Sequence, residues 1–278
     1  MRLAQKRSER IGLWLVSAFM LILAASTIYP IFFTISTALK STREFIRHGF
    51  SIPTAPTFEK FVTAWTTIKL DAYFMNSAIV TVIGVTLVLL VSSLAGYALA
   101  QMRFRFRKAI YFFLLSGLMI PVQVVMVPLF RIIVELGMLN SRVGLGILYG
   151  AFFSPFGIYL TSSYFASIPR ELSEAAKVDG ASYWQIYRLI MLPLARPVLI
   201  TLGILTTLSC WNDVLLSLLV LQDDRTLMVG IASLRGEYGA DIPLVAACVV
   251  IGAAPVIAIF LIFQKKILGG IMVGSVKG

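Results

Sequence analysis

Read for its apolar positions alone, the chain alternates between long apolar blocks and short polar segments. Six blocks stand out, at 11–39, 75–100, 109–130, 143–165, 198–221 and 243–263. A helix of about 20 apolar residues crosses a bilayer, so each block is long enough for one span. The pattern predicts an all-α polytopic membrane protein with six transmembrane helices, in one domain covering residues 1–278. Ile11–Leu39 is long enough to tilt, and Pro30 is placed to kink it. A signal peptide shares its basic-then-apolar order, but a signal's apolar region is only about 7–15 residues. The run to Leu39 therefore reads as an uncleaved first span. Pro121, Pro128 and Pro155 punctuate the third and fourth spans, as kinks or as the lining of a cavity. Gly146 with Gly150, and more weakly Gly96 with Ala100, have the spacing of close helix packing.

Two polar segments are long. Ser41–Ala72 contains Thr57–Leu70, where Phe58, Phe61, Val62, Trp65 and Ile68 recur at helical spacing. That predicts a short amphipathic helix on the outer membrane face or against another span. Gln222–Ile242, rich in glycine and charge, reads as a loop.

Composition strengthens the membrane reading. The chain is 59% hydrophobic and 13% charged, against about 45–50% and about 25% in soluble domains. A formal net charge of +11 in a soluble protein would suggest nucleic acid. Here the basic residues are scattered among the connections, which argues for topology and against a nucleic-acid partner. Arg2, Lys6, Arg7 and Arg10, then Arg103, Arg105, Arg107 and Lys108, then Arg170, Lys177, Arg188 and Arg196, then Lys265, Lys266 and Lys277 all fall on one side of a six-span arrangement. The positive-inside rule makes that side cytoplasmic, with both termini. The expected location is the cell (inner) membrane. Cys210 and Cys248 lie in apolar blocks without metal-ligand or CxxC spacing and read as buried hydrophobes. His48 reads as a solvated loop residue.

The cytoplasmic segment 166–197 is too long and too organised for a mere connection. Pro169 suits a first helical turn, Glu171 and Glu174 suit its positive end, and Ala175 and Ala176 favour helix. Asp179-Gly180 stops that helix. Ser182 and Gln185 form a capping box that starts another, which Pro193 ends. A short helix with a small-residue face can dock in a groove of another protein, with Glu174 and Asp179 supplying charge. It can also be a surface helix that only joins two spans.

Glu174-Ala175-Ala176, Asp179-Gly180-Ala181, Leu192-Pro193-Leu194 and Pro197 resemble the EAA loop of ATP-binding-cassette (ABC) importer permeases. Asn76-Ser77, Gly96–Ala100 with Phe104, Ile120-Pro121, Pro128-Leu129, Trp211-Asn212-Asp213 and the end from Gly269 to Gly278 extend the likeness. It is closest to the six-span partner of the maltose-type, carbohydrate-uptake permease pair. The resemblance implies a type I importer fold and a sugar or sugar-derived solute. It implies that Glu174, Ala175, Ala176, Asp179, Gly180, Ala181 and Pro193 couple the chain to an ATPase. The implied partners are a homologous second permease chain, two ATP-binding subunits, an extracytoplasmic solute-binding protein and membrane lipid. No Gly-Lys dipeptide occurs, so a phosphate loop is lacking. ATP and Mg are accordingly expected on the partner ATPase, with no cofactor on this non-catalytic chain.

Asp213 is the obvious ionisable residue inside a predicted span, where a charge costs about 2.5–3.5 kcal/mol. Thr206, Ser209, Asp213 and Ser217 make a polar stripe at helical spacing, with Trp211 and Asn212 beside it. This stripe is a candidate solute pathway; Asp213 and Asn212 as helix caps or braces is an equal alternative. Arg235, Gly236, Glu237, Tyr238 and Gly239 are candidates for contact with the solute-binding protein. A self-sufficient secondary transporter is the rival class, but it usually shows internal repeats and buried ion-coupling residues. An importer of the same class for a non-sugar polar solute also stays open.

Overall fold

The computed structural model describes residues 2–275, with side chains described for 12–234, 236 and 238–264. Lys277 lies outside the described residues, and the side chains of Arg2, Lys6, Arg7, Arg10, Arg235, Glu237, Lys265 and Lys266 are not described. The described elements are helical throughout. Four helices carry a continuous span: α1 (Arg2–Ala38), α4 (Leu70–Gln101), α7 (Arg142–Ser167) and α14 (Ile242–Ser275). Two bent pairs are together long and apolar enough to cross once each. α5 (Arg107–Ser116), extended by a 3-10 turn to Met119, meets α6 (Val122–Glu135) at 102°. The run from Tyr183 to Leu194 meets α11 (Arg196–Asn212) at 73°. Counting each pair once gives six spans.

Proline chemistry explains both bends. Pro121 lacks an N–H and pushes the residue before it out of helical geometry. Ile120 is extended, at φ −93° and ψ 110°. Pro128 and Pro155 sit inside unbroken helices. Pro193 closes its helix close to where expected, the helical run ending one residue on, at Leu194. The chain stays helical through α9 (Tyr183–Ile186), a π-helical turn at Tyr187–Met191 and α10 (Leu192–Leu194). The direction changes at Ala195, just before α11 begins at Arg196 with Pro197 in its first turn.

The first of two compact units comprises Met1–Leu70 and Ser233–Ala253. The expected amphipathic helix is α3 (Glu59–Thr66), preceded by α2 (Thr42–Arg47), which Ser41 caps. Phe61 packs on Ala38, Ala246 and Ala247. Asp241 accepts from Lys60 Nζ at 2.6 Å and from Thr42 Oγ1 at 3.0 Å. Lys40 is fully buried. Its ammonium donates to the carbonyls of His48, Gly49 and Ser51 at 3.0, 2.8 and 2.5 Å. Hydrogen bonds from a charged donor are worth about 1.5–3 kcal/mol each, which is how a lysine is tolerated there. The Thr54 N–H, donating to Glu44 at 2.6 Å, holds that carboxyl below its ordinary pKa.

The second unit comprises Asp71–Ala232 and Ala254–Gly278. Its centre is the α4–α7 pair. Gly146 and Gly150 lie against Ile83 and Leu87 of α4, and Gly96 lies against Thr161 of α7. A Cβ at any of these would overlap its neighbour, so the glycines set the helix separation. Thr161 Oγ1 also donates to the Ser92 carbonyl at 2.7 Å. Tyr97, Phe165, Ile186, Tyr187 and Met191 form one core cluster; Val80, Leu145, Tyr149, Cys210 and Leu216 form another. Both cysteines are buried and free, as expected. Within 222–242, expected to be a loop, Leu227–Glu237 is instead a helix, α13. Gly230 there is pressed on the Tyr73 ring. It serves close packing.

Candidate functional site

The segment 168–182 builds a rigid corner. α8 (Arg170–Val178) begins after Pro169, with Glu171 in its first turn and Lys177 in its last, both matched to the helix dipole. Gly180 takes the left-handed conformation at φ +82°. The Gly180 N–H donates to the Lys177 carbonyl at 3.0 Å and the Ala181 N–H to the Ala176 carbonyl at 2.9 Å. That pair of bonds is a Schellman motif. Two residues later Ser182 and Gln185 complete the predicted capping box. Lys177 lies 4.6 Å over the Tyr183 ring, tying the two helices together.

The corner is anchored to the spans behind it. Ser93 and Tyr187 share a hydroxyl bond of 2.8 Å, Tyr97 OH donates to the Tyr183 carbonyl at 3.3 Å, and Gln101 donates to the Phe165 carbonyl at 2.6 Å. Ala176 and Ala181 pack on the core cluster beneath. Glu174, Ala175, Asp179 and Gly180 are exposed. Leu172 and Val178 are exposed too, and Val178 retains 87% of its accessible surface. An apolar pair on a short, rigidly held helix, flanked by acids, is suited to burial against another protein. Pro193 lies on α10, past the corner, and is not part of this face.

The second candidate site is where the fifth span breaks. α11 stops at Asn212, Asp213 and Val214 turn, and α12 (Leu215–Val220) resumes. Asp213 caps the new helix: its Oδ2 accepts from the Ser217 N–H at 2.8 Å and from Tyr149 OH at 2.9 Å. The expected stripe is therefore not one face. Thr206 and Ser217 are buried, and Ser217 shares a 2.6 Å bond with Thr226. Trp211 is buried, edge-on to Phe74. Ser209 and Asn212 are exposed, each donating back to its own helix. The geometry gives Asp213 the bracing role that stood as the alternative.

Of the candidate contact segment, Gly236, Tyr238 and Gly239 are exposed at the end of α13. Sequence reasoning missed a clamp on 220–227. Asn140, left-handed at φ 54°, receives the Gln222 and Asp223 N–H groups at 2.7 and 3.1 Å. Asn76 donates to the Asp224 and Arg225 carbonyls, and Ser77 receives the Leu227 N–H. The available signal was Asn140 itself, since asparagine tolerates this conformation and carries both donor and acceptor.

Residues 92–267 match the family described as binding-protein-dependent transport system inner membrane component. The chain is 36% identical to the probable ABC transporter permease protein YurM of Bacillus subtilis, over 98% of this chain and 91% of that one. It is 35% identical to the diacetylchitobiose uptake permease NgcG of Streptomyces coelicolor, covering 94% and 87%. It is 33% identical to the melibiose/raffinose/stachyose import permease MelC of Bacillus subtilis, over the full length of both. A chain from a solved bacterial ABC transporter that imports the acidic polysaccharide alginate superposes with a TM-score of 0.82 at 26% identity, covering 93% and 97%. Family match, long helices and a helical corner agree: the chain belongs to the binding-protein-dependent transport system inner membrane components, the permease subunits of ABC importers.

Proposed function

We propose that this chain is one half of the gate of an ATP-driven sugar importer, with α8 as the lever on which an ATPase subunit acts. The carrying observation is the corner itself. A helix closed by a Schellman motif, tied by Lys177 to Tyr183 and followed by a boxed helix whose Tyr183 and Tyr187 bond to α4, moves with the spans. Its outward Leu172 and Val178 give an ATPase groove something to bury. ATP and Mg belong to that partner in this reading, and the chain contributes no catalysis.

The other assignments rest on relatives and surface chemistry. The named solutes of NgcG and MelC are oligosaccharides, which supports a sugar or sugar-derived solute. A groove of about 710 Å³ lined mainly by apolar residues, among them Val85, Leu89, Ile200 and Ile204, also carries Arg188 and Arg196. It suits the helices of a homologous second permease. Loop charge supports cytoplasmic termini, which puts α8 inside and the α13 end outside, toward a solute-binding protein. Ser209 and Asn212, exposed beside the break, are the pathway candidates that remain. A self-sufficient secondary transporter, the rival reading, has no use for an outward α8.

The test is co-purification of the ATPase with the full chain from its native membrane. Glu174→Lys and Val178→Asp each place a wrong charge on the exposed face. Each is expected to lower recovered ATPase by at least about tenfold, as loss of a buried interface anchor does, while membrane insertion is unchanged. Undiminished ATPase recovery and ATP-driven uptake in both variants would show that α8 is not the lever.

A further inference from the structure

Three cations converge in the second unit without an acid to balance them. A cavity of about 270 Å³ is lined by Arg107, Lys108, Tyr111, Ser162, Ser163 and Arg170, among other residues. None of the three cations forms an ion pair with a carboxylate of the described residues. Arg107 is half-buried, and its guanidinium donates to the Met102 carbonyl at 3.3 Å. A partly desolvated charge held only by a neutral group is costly, so an anion beside it is stabilising. Nearby basic residues have other work: Arg105 stacks on Phe106 and Lys177 on Tyr183.

Two helix starts add to the positive field. α5 begins at Arg107 and α8 at Arg170. Neither has a side-chain cap, and the first turn of α5 holds no acid. Helix starts favour acids or bound anions; α8 has Glu171 in its first turn, but at the start of α5 Arg107 and Lys108 work against helix stability unless an anion is supplied. Arg170 also lines an adjoining cleft with Arg103 and Ser173. Ser173 is only 7% exposed and its hydroxyl has no hydrogen-bond partner among the described residues. Glu174 lines that cleft too, but no carboxylate lines the first cavity.

We propose that this cavity holds the phosphate of an anionic phospholipid headgroup. The chemistry required is a phosphate monoester or diester; the surroundings favour the lipid as its source. Beyond Tyr111, helix α5 presents Phe112 and Phe113, strongly exposed, which suit acyl chains. Tyrosine and basic residues at the end of a span mark the headgroup level. Basic pockets between membrane helices are a recurring mode of acidic-lipid capture. The bound lipid would fasten α5 to the start of α8, linking lipid composition to the corner.

The full chain, purified in mild detergent, is probed by native mass spectrometry with phosphatidylglycerol, with phosphatidylcholine, and with sn-glycerol 3-phosphate as the free headgroup. The wild type is expected to retain phosphatidylglycerol selectively. Lys108→Gln and Arg170→Gln, both exposed and tolerant of change, should each lower retention roughly fivefold, and combining them with Arg107→Gln should abolish selectivity. Arg131→Gln, elsewhere on the surface, should leave it unchanged. A second readout is the unfolding temperature, which phosphatidylglycerol should raise in the wild type and not in the triple variant. Wild-type retention in the triple variant would overturn the proposal. So would glycerol phosphate binding as well as the lipid, which would make the occupant a soluble anion. Loss of the ATPase with lipid retention intact would assign the cations to that subunit instead, and would equally overturn it.

Discussion

Gly180→Val is expected to remove most ATP-driven uptake while the chain still inserts in the membrane. The reason is conformation rather than crowding. Gly180 sits at φ +82° with nothing within 4 Å of where a Cβ would go. A left-handed backbone costs an ordinary L-residue about 1–2 kcal/mol, and a β-branched one is the least tolerant. Valine therefore shifts the corner toward other geometries, and the Schellman bonds at Lys177 and Ala176 go with it. α8 then loses its fixed angle to the spans. Uptake in reconstituted vesicles should fall by about tenfold, the equivalent of 1.4 kcal/mol. Gly180→Asn is the informative companion, because asparagine enters this region readily and should keep most activity. Equal uptake by the valine variant and the wild type would mean that the corner's angle is not what transmits the motion.

Asp213→Ala should reduce both the stability of the chain and its transport, whereas Asn212→Ala should touch transport alone. Removing the Asp213 carboxylate strands the Tyr149 hydroxyl and the Ser217 N–H. Each orphaned buried polar group costs about 1–3 kcal/mol. The double variant Asp213→Ala with Tyr149→Phe should lose less than the sum of its parts, since the second change removes a group the first had stranded. The unfolding temperature in detergent reads this directly; an unchanged value for Asp213→Ala would refute the bracing role. Asn212 is exposed and bonded only within its own helix, so its truncation leaves packing intact. Normal uptake by Asn212→Ala would remove it from the pathway.

The helical corner was legible in the sequence because its chemistry is local. Asp179-Gly180 as a stop and Ser182 with Gln185 as a start depend on neighbours within five residues, and both came out as read. The apolar blocks were legible for a related reason, since lipid imposes a length on each span. What failed was set by distant partners. Tyr149 bonds to Asp213 at the break in the fifth span, and Tyr73 packs on Gly230 of the helix at 227–237, both from far along the chain. The bonds of Asn76, Ser77 and Asn140 to 220–227 join residues 82 to 150 apart in sequence, and no window of spacing could have paired them.

The claim at the centre of this account is that α8 seats in the ATPase. Val178→Cys tests it most directly, since Val178 is 87% exposed at the tip of that helix and both native cysteines are buried. In membranes containing the whole transporter, a short thiol crosslinker is expected to join this position to the ATP-binding subunit, with a yield that changes when ATP is added. No crosslink to that subunit, in a variant that still assembles and transports, would contradict the account.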